Sequence, residues 1–374
     1  MVASADISPV SLAPAIAPAS LAVAAAAAGP PPAGEAQAIA AQVAADVAAL
    51  TETLPLAAEP SALAVMVGEA ATRQDSLAPL LADLAVAVNA PELPADARAT
   101  AAQILAAQAP LDAAVTAGQL RAAAQSSGVF LEASVATALL QGQDAAPALQ
   151  QDLKGLLLQL AAELAPLLEG PAPPRPAGPN APQRPGAAIR PLADQPEPPV
   201  AGGPTAGQPP ARPSLEPDDQ LQMLARTLQQ EAQGALARVQ LSQAASVETA
   251  GEPTRWMFEV PVATPDGTAM AQFEISRDGR GAGAAAAEPS WRARFSVDVA
   301  PSGPVHADVM LGRGRARVTL SAEDAEARAA LAANQDELAQ SLAAAQGPDV
   351  AVRILGVAPP RPQQPPGRLV DRRS

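Results

Sequence analysis

The chain has 374 residues, a net charge of −14, 42 prolines, no cysteine and an aromatic content of 2%. An acidic chain repels phosphate backbones, so nucleic acid is not an expected partner. Without cysteine there is neither a disulfide nor a thiolate metal site. Much of the 48% hydrophobic content is alanine, whose burial offsets little of the entropy lost on ordering a residue. Composition therefore predicts that much of the chain is marginally stable or disordered.

The N-terminal part is expected to change from disordered to helical near residue 35. Residues 1–34 are rich in alanine and proline, a composition typical of disorder. Residues 35–169 carry helical periodicity in short pieces. Ser76 precedes one apolar run, and Thr116 with Gln119 forms a predicted capping box before another. We therefore expect a loosely packed helical region over 35–169.

The strongest amphipathic stripe in the chain lies within this helical region. Its leucines recur three and four residues apart, at Leu153, Leu156, Leu157, Leu160, Leu164 and Leu167. We interpret the stripe as the buried face of a helical bundle. The alternative is a partner-binding helix, or an alanine-rich amphipathic structural protein that coats a membrane or granule. The net charge of residues 1–217 is −11, which counts against anionic lipid.

Proline-rich stretches separate the helical region from the last third of the chain. Residues 170–216 have the composition of an extended linker that buries nothing. A helix near 217–245 then leads into a predicted C-terminal domain over residues 217–358. Residues 359–374 are rich in proline and arginine and are expected to be a disordered tail.

The segment between residues 253 and 356 carries the best predicted core, because it holds five of the six tryptophan and phenylalanine residues. Apolar and polar residues alternate there with period two. This pattern predicts antiparallel strands with one buried and one wet, that is solvent-exposed, face. The strands run from Trp256 to Val262, Ala269 to Ile275, Ala293 to Val299, Val305 to Leu311 and Ala316 to Leu320.

A helix is expected after the fifth strand, with Ser321 as its N-cap and leucines between 331 and 342 on one face. Gly347-Pro348 ends it, and the alternation from Val350 to Ile354 predicts a last strand. The predicted fold class is α+β: a small C-terminal, mostly antiparallel sheet with one packed helix. The loosely packed α-helical region and the Pro-rich disordered linker precede it.

We find no motif that would carry catalysis. His306 is the only histidine and alternates outward on a strand beside Asp308, so we interpret it as a solvated residue. Gly312-Arg313-Gly314 lacks the third glycine of a dinucleotide fingerprint and joins two antiparallel strands, which indicates a turn. We therefore expect no enzyme and no catalytic, cofactor-binding or metal-binding residues.

One group of charged residues has a functional interpretation. Arginines fall on outward positions of the third and fifth strands and in the turn before the fifth: Arg292, Arg294, Arg313, Arg315 and Arg317. If those strands are neighbours, these residues form a basic face on an acidic protein. The face is either an ordinary solvated sheet surface or a docking surface for an acidic patch on a partner protein.

The C-terminal pattern resembles the C-terminal domain of the flagellar hook-length control protein family. The resemblance is carried by Gly303–Val309, by Ala316–Leu320 and by the following helix with its leucines. In the helical region, residues 127–133 with 152–154, and residues 73–81, are similar to stretches of family members. The resemblance covers roughly residues 70–168 and 253–356.

The resemblance implies a regulator that acts by protein contacts, without catalysis. It implies a protein made in the cytoplasm and exported through the flagellar type III apparatus, where the N-terminal part senses hook length. The C-terminal domain then contacts the export-gate switch protein, and export changes from hook to filament subunits. Expected partners are that protein and the hook or hook-cap subunits, with no membrane insertion, and the chain is expected to be a monomer. Residues 1–217 would span roughly 700 Å when fully extended.

Overall fold

The computed structural model describes residues 59–110, 116–168, 196–247, 254–277, 290–299, 302–312, 314–346 and 349–356. The chain divides into two units, residues 1–62 and 63–374. Of the first unit, only residues 59–62 at the start of a helix are described. The expected disordered segments 1–34 and 359–374 lie outside the described residues.

Helices and one sheet make up the described part of the chain. The helices are α1 (Glu59–Arg73), α2 (Leu77–Ala87), α3 (Ala95–Ala106), α4 (Ala117–Gln125), α5 (Leu131–Leu140), α6 (Ala146–Gln151), α7 (Leu153–Leu168), α8 (Leu221–Ala245), α9 (Ala325–Ala333) and α10 (Gln335–Gln346). The strands are β1 (Ala109–Pro110), β2 (Thr254–Thr264), β3 (Gly267–Arg277), β4 (Trp291–Val299), β5 (Gly303–Gly312), β6 (Arg315–Ala322) and β7 (Asp349–Leu355).

The sheet has the order β1-β2-β3-β4-β5-β6-β7. Its pairs are antiparallel from β2 to β6, while β1–β2 and β6–β7 are parallel. Strands β2 to β6 coincide with the five predicted alternations, and β7 with the last one. The predicted α+β class, with a helical N-terminal region and a mostly antiparallel C-terminal sheet, is therefore confirmed.

The leucine stripe of α7 is buried in the core of the helical region. Leu153, Leu156, Leu157, Leu160 and Leu164 are each at most 3% exposed. They share one cluster with leucines of α2 and α8 and with Met270 of β3. The stripe is a bundle face, as we interpreted it. These leucines therefore do not supply the apolar surface that the membrane-coating alternative requires.

Two of the stretches that resemble the hook-length control family meet at the start of α7. The Gly128 amide donates to Asp152 Oδ2 at 3.1 Å, and the Leu153 amide donates to the Ser126 carbonyl at 2.8 Å. Lys154 Nζ contacts Glu132 and donates to Gln243 Oε1 of α8 at 2.8 Å. These contacts fix the turn before α5 and the first turn of α7 against α8.

The second half of the predicted linker lies on the sheet. We call residues 196–216 the strap. Gln208 of the strap pairs with Met270 of β3 through two backbone hydrogen bonds of 2.9 and 3.0 Å. Strand β4 pairs only with residues 272–277 of β3. The backbone of Met270 on the same edge of β3 is therefore available to pair with Gln208. We expected residues 170–216 to be a linker that buries nothing. This is wrong for the strap, where Thr205, Gln208 and Leu215 are at most 8% exposed, and residues 170–195 lie outside the described residues.

Strands β2 and β3 are covered on both faces. Their apolar face packs on Ala123 and Ala124 of α4. Their other face, expected to be wet, is covered by α8 and the strap, so that Glu259 is only 6% exposed. The prediction of one wet face holds for β7, whose polar face is exposed along its length. On the same face, Ser296 of β4 and Ser321 of β6 are at most 1% exposed.

The connection between β6 and β7 differs from the predicted single helix. Ser321, the expected N-cap, lies on β6 and is 1% exposed. Asp324 is the N-cap, because its side chain accepts a hydrogen bond from the Ala327 amide at 2.7 Å. The helix is divided into α9 and α10 at Asn334, whose side chain donates to the Ala330 carbonyl at 2.9 Å. Such side-chain bonds compete with the helical backbone.

Candidate docking face

The polar face of β4 to β7, hereafter the docking face, carries the described arginines that the sequence singled out. The strap contacts the end of β4, where a Cβ on Gly207 would lie 2.7 Å from Asp298 N and where Ser296 is 0% exposed. Strand register places the residues of the docking face in rows that cross the four strands. One row contains Arg292, Met310, Arg317 and Ala351. The next contains Arg294, Asp308, Thr319 and Arg353.

The predicted basic face is only partly assembled. The third and fifth predicted strands are β4 and β6, and β5 lies between them. Arg292 and Arg294 therefore share a face with Arg315 and Arg317, but Asp308 and Met310 of β5 separate the two pairs. Arg313 lies outside the described residues.

Three of the four described arginines are paired with carboxylates. Arg292 Nε lies 3.1 Å from Asp308 Oδ1. Arg294 Nη2 lies 2.6 Å from Glu274 Oε1. Arg315 Nε lies 2.6 Å from Asp349 Oδ2 in a pair in which both side chains are mostly exposed. Much of the positive charge predicted from the sequence is therefore neutralised within the sheet.

Glu274 connects the docking face to the strap. Besides Arg294, it accepts a hydrogen bond from the Gly202 amide at 3.1 Å and lies 3.5 Å from Arg255 Nε. Its side chain is 3% exposed. The position of Arg294 at the border of the docking face is thus fixed by a buried carboxylate that the strap also contacts.

The fourth arginine, Arg317, differs from the other three. Among the described residues it makes no ion pair or hydrogen bond with another side chain, and it is exposed. Arg353 of β7 is also exposed, and among the described residues it too makes no ion pair or hydrogen bond with another side chain. It was not among the arginines predicted from the sequence. The signal was present, since Arg353 alternates with Val352 and Ile354 on the last predicted strand.

Asp298 and His306 also lie on the docking face. Asp298 lies at the end of β4, where burial raises its pKa above the ordinary value. His306 lies on β5 on the same face as Asp308 and is half-buried, so it is less exposed than the solvated residue that we expected. Within the described ranges no group of three or more histidine, aspartate or glutamate side chains is arranged to hold a metal ion. In the same ranges no helix has the length and apolar character needed to cross a membrane.

The arrangement defines a class of protein: an α+β domain with a charged face on its C-terminal sheet. Residues 279–354 match the family model described as "Flagellar hook-length control protein FliK". The match confirms the resemblance for this C-terminal segment and supports a role in hook-length control at the bacterial flagellum. Comparisons with curated proteins and with solved structures found no match.

Proposed function

We propose that this chain controls the length of the flagellar hook and switches the substrate specificity of flagellar export. It does so by contacting the export-gate switch protein, and not by catalysis. Hook or hook-cap subunits are the proposed partners of the N-terminal part, and the chain acts as a monomer that leaves the cytoplasm through the flagellar type III apparatus.

One observation carries this proposal. The segment that matches the hook-length control family contains β4, β5, β6, both helices of the β6–β7 connection and β7 up to Ile354. The same strands form the docking face, while α8 and the strap cover β2 and β3. The part of the sheet that matches the family model thus carries the docking face. Arg292, Arg294, Arg313, Arg315 and Arg317 are the proposed contact residues.

The composition is compatible with export as an unfolded chain. A chain without cysteine cannot be trapped by disulfides. Alanine-rich helices are held by little apolar area per residue, so they unfold at modest cost. These features suit passage through a narrow channel but do not identify the gate.

The test is a deletion of residues 279–356 from the chromosomal gene in the flagellated bacterium that carries it. We expect overlong hooks without filaments, measured by electron microscopy of purified hook–basal bodies and by filament staining. Restoring the intact gene in trans should restore both hook length and filaments. Hooks of normal length with filaments, at an undiminished level of the shortened protein, would rule the proposal out.

A further inference from the structure

Arg317 and Arg353 form a pair of uncompensated positive charges on the docking face. In the parallel register of β6 and β7, Arg317 lies opposite Ala351 and Arg353 lies opposite Thr319. The two arginines are therefore diagonal neighbours on one face, about 7 Å apart at Cβ. Both side chains are exposed, and neither has an ion pair or hydrogen bond among the described residues.

This pair stands out against the other arginines described on the face, each of which is paired with a carboxylate. Arg292 has Asp308, Arg294 has Glu274 and Arg315 has Asp349. Two like charges at this separation repel each other, so the folded chain gains no electrostatic stabilisation from placing Arg317 near Arg353. An anion lying over the pair would offset this repulsion.

The surroundings of the pair indicate what kind of anion fits. Met310 on one side and Leu355 on the other are each 42% exposed, and Thr319 neighbours both arginines, two residues from Arg317 on β6 and opposite Arg353 on β7. Planar guanidinium groups bind carboxylates in a bidentate manner. A net charge of −14 disfavours extended polyanions such as nucleic acid or anionic membranes. The exposed Met310 and Leu355 offer apolar contacts that suit the side chains of a peptide.

We propose that Arg317 and Arg353 bind an acidic segment of a partner protein. In this segment Asp or Glu side chains alternate with apolar ones, so that the carboxylates contact the arginines and the apolar groups contact Met310 and Leu355. The inference rests on the proposed function, because it specifies the contact by which the domain docks. It also moves the centre of that contact from β4 to the β6–β7 side of the sheet.

The first arm of the test measures binding of the full chain to the purified cytoplasmic domain of the export-gate switch protein from the same bacterium. Isothermal titration compares the wild type with Arg317→Glu, Arg353→Glu and the double variant. We expect the Kd to rise roughly fivefold for each single change, since exposed ion pairs are individually modest, and further for the double variant. Raising the salt concentration should reduce these differences.

The matched control is Arg226→Glu, which makes the same change of charge at an exposed position of α8 and should leave the Kd unchanged. Arg317→Lys keeps the charge but loses the planar fork, and should bind with intermediate affinity. Both sites are exposed, so circular dichroism should show wild-type folding. If the gate domain binds the wild type and the Glu variants equally, the pair has no role in docking, although the proposed function stands.

The second arm uses a fluorescent decapeptide of alternating Glu and Val residues, followed by anisotropy. Binding that Arg317→Glu and Arg353→Glu weaken, and Arg226→Glu does not, supports the inference even if the gate domain fails to bind. In that case the inference about the arginine pair stands, and the export-gate switch protein is not the partner. If the wild type binds neither probe, or if Arg226→Glu weakens binding as much as the other two changes, the inference is overturned.

Discussion

Arg238 of α8 and Glu259 of β2 form a bidentate ion pair in the interior of the fold. Arg238 Nε lies 2.9 and 2.8 Å from the two carboxylate oxygens, and Nη2 lies 2.7 Å from Oε1. The arginine is 1% exposed and the glutamate 6%. Arg238 Nη1 also donates to Gln74 Oε1 at 2.6 Å and to the Glu197 carbonyl at 3.2 Å. One side chain thus joins the helical region, the strap and the sheet.

Removing one member of this pair should be costly. We expect Glu259→Gln to lower the free energy of unfolding by about 3–5 kcal/mol, because it leaves a buried guanidinium without its counter-ion. The double variant Arg238→Met/Glu259→Leu should lose less free energy of unfolding than Glu259→Gln alone, because it leaves no buried charge without a counter-ion. Urea unfolding followed by circular dichroism measures both.

The exposed pair Arg315–Asp349 is the control for the buried one. Its side chains are 76% and 62% exposed, so Asp349→Asn should cost less than about 1 kcal/mol. Equal losses for Glu259→Gln and Asp349→Asn would contradict the central position of the Arg238–Glu259 pair.

Gly155 is required by a close approach in the helical region. A Cβ built at this position would lie 2.0 Å from the Leu149 carbonyl oxygen, so α6 and α7 would have to move apart. We expect Gly155→Ala to lower the free energy of unfolding by at least about 2 kcal/mol. Gly68→Ala is the matched control, because nothing lies within 4 Å of its added Cβ. In α1 that change should stabilise by about 0.5–1 kcal/mol, and thermal unfolding of the two variants distinguishes the cases.

The sequence allowed prediction of features whose cause is local. Period-two alternation identified the five strands from Trp256 onwards, and the Thr116–Gln119 capping box forms with both of its hydrogen bonds. The prediction of Ser321 as the helix N-cap was wrong. A serine gives the same local sequence signal at the end of a strand as at the start of a helix. Asp324 three residues later provides the N-cap in the structure.

The features that escaped prediction depend on contacts between distant residues. The strap is held by Glu274 and Gln272, which accept from the Gly202 and Ala206 amides over 72 and 66 residues of sequence. No composition rule for a proline-rich segment encodes such partners. Likewise, alternation showed that Arg292 and Arg317 face the same way, but only the strand order shows that β5 lies between them.

The strap should be sensitive to the smallest added side chain at Gly207. A Cβ there would lie 2.7 Å from Asp298 N and from Val297 Cα, which are backbone atoms that cannot rotate away. We expect Gly207→Ala to shift the strap and weaken its pairing at Gln208. Because the Met270 amide donates to the Gln208 carbonyl at 3.0 Å, its hydrogen exchange should become about tenfold faster or more, equivalent to about 1.4 kcal/mol.

Arg212→Ala is the control for the strap, since Arg212 is exposed and its truncation should leave the exchange of the Met270 amide unchanged. Amides of α3, which lies apart from the strap contact at β3, should exchange equally in all three proteins. Protection of the Met270 amide that survives in Gly207→Ala would show that the strap does not depend on this close approach.

Asp152 should make the stability of the helical region depend on pH. Its carboxylate accepts hydrogen bonds from the amides of Lys154 and Gly155 at the start of α7 and from Gly128. Burial nevertheless raises its pKa from 3.8 to about 6. The folded chain therefore binds this proton more tightly than the unfolded chain does. The stabilising contribution is fully present below about pH 4 and is lost as the pH rises through about 6.

The variant Asp152→Asn removes this titration and isolates its contribution. All other carboxylates are common to both proteins, so the difference in free energy of unfolding between wild type and variant reports Asp152. We expect the wild type to lose up to about 3 kcal/mol relative to the variant between pH 4 and pH 7, since each pKa unit corresponds to about 1.4 kcal/mol. Asp144→Asn, which changes an exposed carboxylate that accepts from the Ala146 amide at 3.0 Å, is the matched control for the loss of one negative charge. A difference between wild type and Asp152→Asn that stays constant over this range would mean that Asp152 titrates as an exposed aspartate does, and that its burial in the turn before α7 is not as described.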